Sequence, residues 1–263
     1  GLDMTGAPLS DEGIASLAHF CPGARTLRLG DCDRLDDRHV IMLSVRCHLL
    51  EEVDVSGCRQ ITDDSMCAIA EFAASLRRLN VGRCHGVSAA GLLAIARRTG
   101  TRLACTNSST QACAPIPDGP PAQNPCVTTP SKVPSTSSHS PHPHNCSPLE
   151  ALCVDRLRAP TNDTLVALAE GCPALRRLEA LGCSRIGGAG LVALAAGCNM
   201  LGLVDVRECP RVSAASISAF RRRLPHCELY TDDISAIARA AEGHISSREG
   251  EASRRWPPGT LNS

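Results

Sequence analysis

Residues 50–64 read Leu50-Glu51-Glu52-Val53-Asp54-Val55-Ser56-Gly57-Cys58-Arg59-Gln60-Ile61-Thr62-Asp63-Asp64, and Ser65 to Ala70 follow. The apolar residues Leu50, Val53, Val55, Cys58 and Ile61 begin with the spacing of a short strand. They then pass through a Thr-Asp turn into the helical spacing of Met66, Ile69 and Ala70. Because side chains alternate along a strand, Val53 and Val55 face one side while Glu52 and Asp54 face the other. A coil this small cannot bury enough apolar surface to stand alone against its backbone entropy, so it has to stack on neighbours.

The neighbours are visible outward from it. Cys32, Cys58 and Cys84 stand 26 residues apart, as do Cys183 and Cys209. Five residues before these cysteines come Leu27, Val53, Leu79, Leu178 and Val204, and three before them Leu29, Val55, Val81, Ala180 and Val206. Three after them come Leu35, Ile61, Val87, Ile186 and Val212. Strand-then-helix self-similarity at such a period predicts an α/β leucine-rich repeat solenoid. We expect a curved horseshoe of about seven or eight coils, with parallel strands on the concave face and helices on the convex face.

The remaining organisation follows from where the frame holds. Residues 1–103 are one half-solenoid; its opening stretch, 1–24, reads as the back half of a repeat, with Leu9-Ser10-Asp11 matching Ile61-Thr62-Asp63. Opening in mid-repeat predicts that the chain is a fragment of a longer protein. Residues 104–148 hold ten prolines and many serines, the composition of a disordered insertion, with a retained intron or gene-model error as the alternative. The frame resumes at Leu149, Leu152 and Val154, 73 residues after Leu76, Leu79 and Val81, so the insertion adds 47 residues to one period. Residues 149–241 form the second half-solenoid, in which Leu157 takes a cysteine's place, and 242–263 read as a disordered tail.

Formal charge is zero, from 27 basic and 27 acidic residues, and aromatics make up 2% of the chain. Neither a basic stripe nor stacking platforms are present, so a nucleic-acid surface is not expected. Without a run of 18 apolar residues, neither is a membrane span. Sixteen cysteines without a secretion signal or any Cys-x-x-Cys pair point to reduced structural thiols in a cytoplasmic or nuclear protein. Their spacing alternates between 11 and 15 residues, as in Cys21, Cys32, Cys47 and Cys58, which strings them along a ladder instead of clustering them as zinc needs.

The stretch Cys172-Pro173-Ala174-Leu175-Arg176-Arg177-Leu178-Glu179-Ala180-Leu181-Gly182-Cys183-Ser184-Arg185-Ile186 resembles the cysteine-containing leucine-rich repeats of F-box proteins and of repeat-only mitotic-exit antagonists. Cys47 to Asp63 resembles them too, with the Ile61-Thr62-Asp63 ending intact; two residues in place of three separate Cys172 from Leu175. The resemblance implies the substrate-recognition repeats of an F-box type ubiquitin ligase, which would meet the cullin adaptor through an F-box absent from this chain. The alternative is a repeat-only scaffold or inhibitory regulator without a ligase role.

No phosphate-binding Gly-x-x-x-x-Gly-Lys, His-Glu-x-x-His or Gly-x-Ser-x-Gly occurs, so we expect a non-catalytic adaptor without cofactor or metal. The tract His139, His142, His144 and Cys146 reads as low-complexity bias, and the acceptor tripeptides at Asn107, Asn145 and Asn162 as coincidence. Arg221-Arg222-Arg223 reads as the end of a solvated helix. Function is expected on the concave face, where a protein partner would meet Arg28, Glu52, Asp54, Arg78, Asn80, Arg177, Glu179, Asp205 and Arg207.

Overall fold

Residues 1–97 and 149–232 are described by a computed structural model. The insertion at 104–148, the histidine tract, the end of the last unit and the 242–263 tail lie outside them. Of the two units into which the chain divides, Gly1–Thr231 carries the fold; the second, Asp232–Ser263, lies outside the described residues beyond Asp232.

Strand and helix alternate throughout that first unit: β1 (Leu2–Asp3), α1 (Asp11–Phe20), β2 (Thr26–Arg28), α2 (Asp37–Arg46), β3 (Glu52–Asp54), α3 (Asp63–Phe72), β4 (Arg78–Asn80) and α4 (Ala89–Ala96). After the insertion come β5 (Ala151–Cys153), α5 (Asn162–Gly171), β6 (Arg177–Glu179), α6 (Gly188–Gly197), β7 (Leu203–Asp205), α7 (Ala214–Arg223) and β8 (Glu228–Tyr230). The strands form one parallel sheet in chain order. Leu27, Val53, Leu79, Leu152, Leu178, Val204 and Leu229 stand opposite one another in register. Pairing of β4 with β5 carries the ladder across the insertion. This is the leucine-rich repeat α/β solenoid that the period of 26 predicts.

One strand had escaped the sequence. Residues 1–24 hold more than the back half of a repeat, because Leu2 pairs opposite Leu27 as part of β1. That coil is one residue shorter than the period and has Ala7 where its cysteine would fall, so the frame cannot be seen from the cysteines.

Each coil turns sharply after its three-residue strand, through a backbone with positive φ at Asp31, Gly57, Arg83, Arg156, Gly182 and Glu208. The helices start on side-chain caps: Ser10, Asp36, Thr62, Ser88, Thr161 and Ser213 each accept from a backbone N–H of the first turn. A second set of caps comes from the coil before. Asp37 accepts from the N–H of Thr62 at 2.9 Å, Asp63 from that of Ser88 at 2.7 Å, and Asn162 from that of Gly187 at 2.8 Å. Asn162 is therefore a structural rung. Gly187 has no side chain to cap α6, so Asn162 supplies what that coil lacks.

Between sheet and helices runs a continuous apolar core that includes Leu27, Val53, Ile61, Met66, Leu79, Leu178 and Leu194. The cysteines belong to it and satisfy backbone acceptors of the previous coil. Cys58 donates its thiol proton to the Leu29 carbonyl at 3.2 Å, Cys84 to Val55 at 3.0 Å, Cys183 to Val154 at 3.2 Å and Cys209 to Ala180 at 3.2 Å. Cys47 and Cys198 donate likewise to the carbonyls of Cys21 and Cys172. A small side chain with one weak donor suits a tight turn that brings a carbonyl within reach. On α7 the three arginines Arg221–Arg223 close the helix, and Arg223 Nε donates to the Ala195 carbonyl at 3.1 Å.

Candidate functional site: the open face of the sheet

Strand spacing decides which face can receive a partner. Hydrogen-bonded strands lie about 4.8 Å apart and packed helices about 8–10 Å apart, so a stack of this kind bends with the sheet inside. The packing between elements runs strand beside strand and helix beside helix, between neighbouring coils. The sheet face turned away from the core is thus left open among the described residues.

Two rows of side chains point out from that face. The first strand position supplies Thr26, Glu52, Arg78, Ala151 and Arg177, and the third Arg28, Asp54, Asn80, Cys153, Glu179 and Asp205. Arg207 stands two residues beyond Asp205, at the edge of the same face. All nine residues expected there are brought to one surface.

Their display differs from expectation. Glu52 is only 4% exposed and Asp205 8%, so neither carboxylate is offered freely to solvent. The cause is the arginines. Arg28 reaches Glu52 through Nε and Nη2, both at 2.8 Å, and Arg78 Nη1 lies 3.6 Å from its other oxygen. Asp3 adds a looser contact to Arg28 at 3.7 Å. Opposite charges so alternate across four strands, from Asp3 through Arg28 and Glu52 to Arg78.

Beyond the insertion the pairing changes direction. Arg177 turns to Glu179 of its own strand. Arg207 clasps Asp205, with Nε at 3.0 Å from one oxygen and Nη2 at 2.6 Å from the other, and also lies 5.7 Å from the Tyr230 ring centre. Asp205 further accepts the Arg207 N–H at 3.1 Å, as Asp54 accepts that of Ser56 at 2.9 Å and Asn80 that of Gly82 at 3.1 Å. Asp155, two residues past Cys153, accepts the Leu181 N–H at 2.9 Å. Burial pushes its carboxyl upward from the usual range; the Leu181 N–H opposes this, and the charges of Glu179 and Asp205 add to it.

Four charged residues on the turn rim were not anticipated. Arg83 Nη2 lies 3.2 Å from Asp31 Oδ1, and Arg156 Nη2 3.7 Å from Glu208 Oε1. Each pair spans two coils, passing over Gly57 or Gly182, and a Cβ on Gly57 would overlap Asp31 Oδ1. The signal lay in the sequence as charged, glycine, charged at successive periods: Asp31, Gly57, Arg83 and Arg156, Gly182, Glu208.

The ladder cysteines are buried. Burial pushes Cys58, Cys84 and Cys183 up to about 12, so they stay protonated donors near neutral pH. None of the described helices is long and apolar enough to cross a membrane.

With this geometry in view, comparison with known proteins gives a family match and structural neighbours. A family model described as "Leucine Rich repeat" matches residues 46–70 and 73–96, which are the coils of β3 and β4. Among solved structures the chain is similar to one described as "Crystal structure of Rad7 and Elc1 complex in yeast". That likeness has a TM-score of 0.40 and 12% identity, covering 83% of this chain and 59% of that one. The chain therefore spans less than two thirds of that neighbour's length.

Proposed function

We propose that the chain is a non-catalytic protein-recognition module that holds a protein partner on the open sheet face. The observation carrying this is the face itself: a sheet left uncovered among the described residues, with charged side chains fixed in rows by β-ladder register. Exposure sorts the contacts within it. Arg28, Asp54, Arg78, Asn80, Arg177, Glu179 and Arg207 retain accessible surface and would touch the partner, whereas Glu52 and Asp205 hold arginines in place.

The finer reading is that the partner is a protein to be ubiquitinated and that these are the recognition repeats of an F-box type ligase. It rests on the resemblance of Cys47–Asp63 and Cys172–Ile186 to that repeat class, a fold-level analogy. Two experiments separate the levels. The triple variant Asp54→Lys, Arg78→Glu, Arg207→Glu should lose a partner that the wild-type chain binds, while Arg221→Glu on the helix side should keep it; equal binding by both moves the site elsewhere. Co-purification of the full-length protein with a cullin adaptor supports the ligase role. Its failure leaves the binding face standing and sinks the ligase reading.

A further inference from the structure

Every ladder thiol described above donates to a backbone carbonyl on the core side of the sheet. Cys153 does not. It sits in the row of Asn80 and Glu179, so its side chain leaves the sheet on the open side, yet it is only 4% exposed. Among the described residues its polar neighbours are the Asp155 N–H and the carboxylates of Asp155 and Glu179. Among the described residues, Cys153 Sγ and carboxylate oxygens of Asp155 and Glu179 form a group whose donor atoms all lie within 4.8 Å of one another.

We propose that Cys153, Asp155 and Glu179 form a binding site for a divalent ion of the zinc type, with one coordination position left open on the sheet face. Three features support it. Two of the donors, Cys153 and Glu179, are paired rungs of one β-ladder, and Asp155, in the turn two residues past β5, is tied to the next coil by the Leu181 N–H, so their spacing is fixed by hydrogen-bonded backbone. A tetrahedral ion with bonds of about 2.0–2.3 Å places its donors roughly 3.3–3.8 Å apart, so modest side-chain rotations bring these three to it. One thiolate and two carboxylates also suit a borderline ion better than a hard one such as magnesium, which prefers oxygen alone.

The charges around the site favour a cation, although the ion has to displace the thiol proton. Here a buried thiol faces two carboxylates, and Asp205 adds a third negative group nearby. Burial first, and those carboxylates next, hold the thiol proton on and raise Asp155 as well. A bound dication reverses that balance: the thiol releases its proton to solvent, the S–metal bond replaces S–H, and the thiolate and two carboxylates together outweigh the ion by one negative charge, beside the Arg177 guanidinium. Arg177 stands on one Glu179 oxygen and is itself partly exposed. It can stay there while the other oxygen turns to the ion, or swing into solvent.

Cobalt(II) is the probe, because a thiolate ligand gives it an absorption band that a carboxylate or imidazole does not. The full chain, reduced, should develop that band to saturation at one equivalent, and zinc should displace it. Cys153→Ser should abolish the band. Asp155→Asn and Glu179→Gln should each weaken binding by at least about tenfold, since changes to outer partners alone cost about 10–100-fold. A variant with His139, His142 and His144 changed to Ala and Cys146 to Ser should keep it. Full intensity in Cys153→Ser, its loss in the histidine-tract variant, or no band at micromolar cobalt overturns the proposal. Should Cys153→Ser fail to fold, unchanged affinity in Glu179→Gln, whose carboxylate reaches the surface, overturns it equally.

Discussion

The open face before the insertion and the open face after it are built on the same register, yet they settle their charges in opposite ways. In the first, Glu52 of β3 is held by Arg28 of β2 and Arg78 of β4, so the ion pairs run across the strands and join three coils. In the second, Arg177 and Arg207 pair with Glu179 and Asp205 of their own coils. These ion pairs stay within a coil, and Asp155, Glu179 and Asp205 act on one another from coil to coil. Counting charges would call the two regions alike. What differs is phase: an arginine one strand away from its acid ties coils together, whereas one two residues away leaves the gap between coils acidic.

The sharpest way to break this contrast is to remove one acid from each side. Glu52→Ala leaves two guanidinium groups, 20% and 28% exposed, without their shared partner. Losing one member of a buried pair costs about 3–5 kcal/mol; with both arginines partly exposed, about 2–3 kcal/mol is expected. Glu179→Ala removes a pair whose arginine is 36% exposed, and should cost under about 1 kcal/mol. Urea unfolding of both variants in the presence of a chelator reads the difference directly. Equal shifts of the midpoint would mean that the cross-strand pairs do not bind the coils.

A smaller effect comes from the two glycines under the rim pairs. Gly57 and Gly182 share a positive φ, +74 and +72, so alanine at either carries the left-handed cost of about 1–2 kcal/mol. Their surroundings are unequal. The new Cβ at Gly57 would displace Asp31 from Arg83, whereas at Gly182 it would stand 3.3 Å from Arg156 Cγ and 3.4 Å from Glu208 Oε2, tight but open to adjustment. Gly57→Ala should therefore lower the thermal midpoint further than Gly182→Ala. The reverse order would show that the Asp31–Arg83 pair adds nothing.

These pairs also lie beyond what residue spacing alone specifies. Period and alternation placed Leu27, Val53 and Leu79 inside and Arg28, Asp54 and Asn80 outside, because both depend only on residue spacing. The ladder cysteines were legible as structural for the same reason, although their carbonyl partners 29 residues back depend on how coils stack. Alternation displays Glu52 and Asp205 because it gives direction and says nothing of what lies over a side chain. Their burial depends on arginine rotamers. The caps supplied by Asp37, Asp63 and Asn162 to the following coil were missed because sequence signals for caps are sought within one helix. Cys153 is not legible as a possible ligand because, of its two companions, Asp155 is near in sequence but Glu179 becomes a neighbour only through the pairing of β5 with β6.

The weakest expected effect tests the contrast at the helix starts. Asp36 caps α2 with a charged side chain, while α6 after the insertion begins on Gly187 and borrows the neutral Asn162. At Asp36, burial opposes ionisation, but hydrogen bonds from Arg38 and the His39 N–H, with the charges of those two residues, outweigh it and hold the carboxyl below its usual value. Asp11 lies on the far side, 3.7 Å from His39 Nε2, and Asp37 follows in sequence. A lowered folded value means the charge adds stability above the unfolded value of 3.8, and that this is lost as pH falls through the lower, folded one. Asparagine caps a helix about as well as aspartate, so Asp36→Asn isolates the charge. Because Arg38 is largely exposed, solvent screening keeps the difference under about 1 kcal/mol. Wild type should be the more stable at about pH 5 and should converge with Asp36→Asn towards about pH 3, a window where carboxyls alone titrate. A gap constant across that window would show that the cap works through its oxygen geometry, as Asn162 does for α6, and that its charge contributes nothing.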